Sequence, residues 1–85
     1  MNAVESDEFF LQQNLKIIKL INDSIKSNKN RLIVIDEKLK NKLINDYDAE
    51  AFKSIRKIFN DDLFRDIEDL EKFKRLNLLL RINRN

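Results

Sequence analysis

Three aspartates, Asp61, Asp62 and Asp66, come closest to a constellation that could do chemistry, because carboxylates gathered at helical spacing can share a proton or hold a cation. Aspartates at the start of a helix far more often cap it or face its dipole, and a helix is expected to start here. A second acidic group, Asp46, Asp48 and Glu50, sets oxygen ligands at alternate positions like the opening of a calcium loop. The pattern ends there, with Ala51 in the place of the required glycine and Lys57 in that of the closing glutamate. The chain has no histidine and no cysteine, so catalysis would rest on Asp, Glu, Lys, Ser or the single Tyr47, none of which stands in an activating motif. With no glycine, there is no loop to cradle a phosphate. The expectation is a chain that is not an enzyme, with no catalytic residue, no cofactor and no metal.

Binding is the chemistry that remains. Lys72, Lys74, Arg75, Arg81 and Arg84, with Phe73 and leucines between them, form a basic amphipathic tail suited to phosphates, and Lys16, Lys19, Lys26, Lys29 and Arg31 offer a second stripe. No recognition motif accompanies them, and bases closing a helix are what its dipole favours. The charge is blocked: residues 1–15 carry minus three, 16–44 plus five, 45–71 minus five and 72–85 plus five, for a net +2. Blocks of alternating sign pair with one another when helices fold back antiparallel, which explains them without a ligand.

The elements that must position these residues are helical. A chain of 85 residues without Gly or Pro lacks the residues of tight hairpins and strand bulges, and its length suits one domain, residues 1–85. The fold expected is all-α, a small bundle of three to four antiparallel helices over about residues 7–27, 31–45, 48–59 and 61–82. In the first helix Leu11, Leu15, Ile18, Ile21 and Ile25 share a side, and Phe9, Phe10, Ile17 and Leu20 widen the apolar arc to about 240°, against the ~100° of a surface helix. Ser6 or Asn2 would cap it. Ser27, Asn28, Lys29 and Asn30 read as a turn, although Leu11, Ile18, Ile25, Leu32 and Leu39 run by sevens straight through them, as a continuous coiled-coil seam would. Asp46 or Asp48 would cap the third helix. In the last helix Leu63, Ile67 and Leu70 share a face from which Phe73, Leu76 and Leu80 are turned by more than a right angle, so a kink near residue 72 or a separate partner for its last third is expected.

Ile, Leu, Val and Phe total 31 residues, and a chain this small hides only ~60–65% of the surface of its unfolded form, so an apolar surplus should face outward. A contiguous surplus marks association with another protein or with a second copy. The expected function is a non-enzymatic protein-protein interaction module (an adaptor, an inhibitor or a small subunit of a larger assembly), with Phe73, Leu76, Leu79, Leu80, Phe9 and Leu20 as partner-binding residues. The alternative is a small basic-tailed nucleic-acid-binding regulator. No apolar run approaches the ~20 residues of a membrane span. The acidic start and the lack of cysteine suit a cytoplasmic setting, with the nucleus as alternative.

Overall fold

Without glycine or proline, no residue of this chain is obliged to break a helix, and the backbone stays helical nearly throughout. The computed structural model describes residues 3–83. Helix α1 spans Ala3–Leu39 and helix α2 spans Asp46–Asn83. They fold back on each other as an extended hairpin of 63 × 16 × 14 Å, a length set by 37 and 38 residues at ~1.5 Å each.

The bundle of three to four helices expected from the sequence does not form. Residues 27–30 make no turn: α1 runs through them, and Asn28 is only 3% exposed. Asn60, Asp61 and Asp62 start no new helix, and α2 is also unbroken through residue 72. The chain turns instead at residues 40–45, which places Leu43 in the loop rather than on a second helix. There Asn41 accepts the Leu43 amide at 3.0 Å through its side chain and the Ile44 amide at 3.2 Å through its carbonyl. Asn45, rather than Asp46 or Asp48, caps α2, accepting the Asp48 amide on its side-chain oxygen at 2.8 Å. Asp46 and Asp48 fill the first turn, where the helix dipole favours acids. At the other end α1 already includes Ser6, and Asn2 lies outside the described residues.

A single seam holds the hairpin. On α1 it runs Leu11, Asn14, Ile18, Ile21, Ile25, Asn28, Leu32, Ile35 and Leu39, spaced alternately by three and four, and every one is buried or half-buried. On α2 the same spacing links Ala49, Phe52, Arg56, Phe59, Leu63, Asp66, Leu70, Phe73, Asn77 and Leu80, of which Arg56 alone is exposed. Register is visible in the cross-helix contacts. Ser24 and Asn28 meet Asp66, Arg31 lies over the Phe59 ring, and Arg56 meets Asp36, so facing residue numbers add to between 90 and 94.

Polar residues interrupt this seam at matching levels. The Asp66 carboxylate accepts from the Ser24 hydroxyl at 2.6 Å and from Asn28 Nδ2 at 3.2 Å, while Asn28 Oδ1 accepts from Arg31 at 3.3 Å. Hydrogen bonds to a charged group contribute ~1.5–3 kcal/mol each, so this layer compensates its own burial. Asn14 and Asn77, each 6% exposed, fall at one level in the same register. A slip of one heptad would set Asn14 and Asp66 against apolar seam residues, so these layers fix the register as buried Asn does in coiled coils.

Candidate interaction surface

The side chains beside a two-helix seam fall into two flanks, because each helix has a residue just before and one just after every seam position. Since the helices are antiparallel, residues that precede seam positions emerge on one side of the hairpin from both helices, and residues that follow them emerge on the other. An open groove of about 410 Å³ marks the first side, lined by Ser27, Arg31 and Val34 from α1 and Ile55 from α2 above seam residues Ile35, Phe52 and Phe59. Another of about 350 Å³ marks the second, lined by Leu15 from α1 and Lys74, Leu78 and Arg81 from α2 above Ile18 and Asn77.

The two flanks differ in chemistry. The first, here the leading flank, exposes Phe10, Leu20 and Val34 on α1 and Ile55, Ile58, Leu76 and Leu79 on α2. The trailing flank carries Lys19, Lys26, Lys29, Lys53, Lys57, Lys74 and Arg81, with Leu15, Ile33, Phe64, Ile67 and Leu78 dispersed among them. Only Leu11 and Ile35 are buried apolar residues among those described, because a two-helix hairpin covers one stripe of each helix and no more. The chain, 10.2 kDa in mass, exposes 6875 Å². A compact monomer of that mass would expose about 5,300 Å².

The residues expected from sequence to bind a partner divide between seam and surface. Phe73 and Leu80 are half-buried seam residues of α2. Leu76 and Leu79 are exposed on the leading flank, joined from α1 by Leu20, which is 68% exposed. Phe9 is exposed on the outer side of α1 and packs edge-on against Phe10, ring centroids 6.0 Å apart. Ile55, Ile58 and Val34 also belong to the leading flank; from sequence Ile55 and Ile58 were expected on one buried face with Phe52 and Phe59, yet only the two phenylalanines reach the seam. The signal of the flank was a second set of apolar residues spaced by three and four, one residue ahead of the seam.

The basic tail does not form one stripe. Lys72 belongs to the leading flank, Lys74 and Arg81 to the trailing flank and Arg75 to the outer side of α2, while Arg84 lies outside the described residues. The carboxylates are similarly dispersed in role: Asp66 serves the seam, and Asp62 lies 3.7 Å from Arg65 on the helix surface. Among the described residues no group of three or more acidic side chains is arranged to hold a metal, and no helix is long and apolar enough to cross a membrane. Compared with protein-family models, curated proteins and solved structures, the chain matches none.

Proposed function

We propose that this protein is a non-enzymatic protein-protein interaction module, an adaptor, inhibitor or small subunit that docks through the leading flank of its hairpin in a cytoplasmic setting. One observation carries the reading: large apolar side chains of both helices stand exposed along one side, in a chain with far more surface than its mass requires. Exposed apolar residues are ordinary when scattered, but here they recur at heptad spacing, which is how a helix presents itself to another helix.

The test is photo-crosslinking in cells that make the protein, with the reactive residue placed at Ile58 or Leu79 on the leading flank, or at Lys57 on the trailing flank as control. Discrete protein adducts from the first two positions and none from Lys57 are expected. A leading flank that yields no adduct defeats the reading. Leu76→Glu with Leu79→Glu should remove the adducts while preserving helicity; Leu80 is unsuitable for this because it belongs to the seam.

The trailing flank supports the second reading, a nucleic-acid-binding regulator, because Lys74 and Arg81 flank one groove and Lys19, Lys26 and Lys29 continue along the same side. Retention on DNA or heparin that falls steeply with salt would favour it, since each phosphate contact adds to the salt dependence.

A further inference from the structure

Resting on the reading that the leading flank is a docking surface, we infer that its occupant is a second copy of this chain, with α2 packed antiparallel on α2 of the second copy about a twofold axis level with Ile67. From residue 55 the leading residues of α2 run Ile55, Ile58, Asp62, Arg65, Asp69, Lys72, Leu76 and Leu79, spaced alternately by three and four. That spacing makes a second heptad seam on the same helix.

The order is palindromic in chemistry about residue 67. Folded back on its own copy, this edge sets Ile55 opposite Leu79, Ile58 opposite Leu76, Asp62 opposite Lys72 and Arg65 opposite Asp69, and the twofold axis repeats each contact. Apolar meets apolar and acid meets base throughout, which is the self-complementarity that an isologous interface requires. A shift of one heptad either way puts Arg65 against Leu76 or Ile55 against Lys72. The leading edge of α1 offers no such match, because the equivalent reversal sets Phe10 opposite Val34 but Ile17 opposite Ser27 and Leu20 opposite Ser24, with no acid facing a base.

The side chains are available for this contact. Ile55, Ile58, Leu76 and Leu79 are 41%, 59%, 42% and 47% exposed. Asp69 and Lys72 have no hydrogen-bond or ion-pair partner among the described residues, and the Arg65 side chain, 71% exposed, is engaged only by Asp62 at 3.7 Å. The surface beyond that of a compact monomer, about 1,500 Å², exceeds the ~800 Å² that each partner contributes to a standard interface.

Charge reversal in the full chain, read by sedimentation equilibrium across a wide concentration range, tests the arrangement. The wild-type chain should dimerise. Arg65→Asp or Asp69→Arg alone should weaken the dimer at least about tenfold, since each places two like-charged pairs across the axis, and the two together should restore it. Circular dichroism on each variant confirms that helicity is retained. A monomer at every concentration overturns the inference. So does a dimer indifferent to both reversals, as expected if α2 packed antiparallel beside α1 of the second copy, where Asp69 would face Leu20 and Ser24. Reversals that weaken the dimer without mutual rescue overturn it as well. If the chain is monomeric while Ile58 and Leu79 still crosslink to a different protein, the docking surface stands and the second copy alone is wrong.

Discussion

Val34 and Ile35 are neighbours in sequence and opposites in circumstance: Ile35 is 6% exposed in the seam and Val34 is 53% exposed on the leading flank. The same contrast runs the length of the hairpin, between a seam that holds two helices in one register and a flank of similar apolar character that holds nothing within the chain. Hydrophobic residues of similar kind therefore occupy two separate environments here. Composition cannot divide them, but substitution can.

The largest difference is expected at that pair. Ile35→Ala should cost about 2–4 kcal/mol, because it opens a cavity in the seam. Val34→Ala should stay within about 0.5 kcal/mol, as surface changes do. Urea denaturation followed by circular dichroism at low protein concentration measures both, and equal losses would mean that the flank is packed within the monomer.

Asp66→Ala comes next. It leaves Asn28, at 3% exposure, without its carboxylate partner, and an unsatisfied buried amide costs ~1–3 kcal/mol. Adding Asn28→Ala should recover part of the loss, since the two residues act as a unit. Strict additivity in the double variant would show that the Asn28 contact is not what Asp66 supplies.

Asn14 and Asn77 present the opposite case. Asn14 Nδ2 and Asn77 Oδ1 are buried without a hydrogen-bond partner, so replacing both residues with Leu should stabilise the hairpin by ~1–3 kcal/mol. Relaxed register is the expected accompaniment, visible as broadened distances between spin labels on the two helices. A loss of stability on this double substitution would show that the two amides are satisfied in solution.

The helical class and the apolar surplus were legible in the sequence, and so was the seven-residue spacing of Leu11, Ile18, Ile25, Leu32 and Leu39. The number of helices was not, for two physical reasons. Asn28 looked like part of a turn because its partner, Asp66, lies 38 residues away, and a buried amide is recognisable only once that partner is known. On α2, wheel positions at 100° per residue drift by ~20° per heptad relative to a seam of period 3.5. Between Leu63 and Leu80 the accumulated drift reaches ~50°, and Ile67 and Leu76, which lie on opposite flanks, widened it past a right angle, so one continuous seam looked like two misaligned faces. Arg56, Asp66 and Asn77 hid it further by placing polar residues where apolar ones were sought. The flanks were legible only in part, since Leu76 and Leu79 could be named from their crowding, whereas Ile55 and Ile58 needed the seam as a reference.

The smallest expected effect concerns Arg56, a seam position by spacing but exposed to water. Its Nε lies 2.7 Å from Asp36 Oδ1, the geometry of a strong ion pair, yet the two side chains are 45% and 44% exposed. Water screens such a pair, and ordering two long side chains opposes it, so a double-mutant cycle with Arg56→Ala and Asp36→Ala should give a coupling of no more than ~1 kcal/mol. That coupling should fade in 1 M salt, where the screening length is ~3 Å, whereas the coupling of Asp66 with Asn28 should persist because one partner is a buried neutral amide. Solvent access, and not heptad position, would then set the strength of each polar contact along the seam. A salt-resistant coupling of several kcal/mol at Arg56 would place the loop end of the seam among its tightest parts.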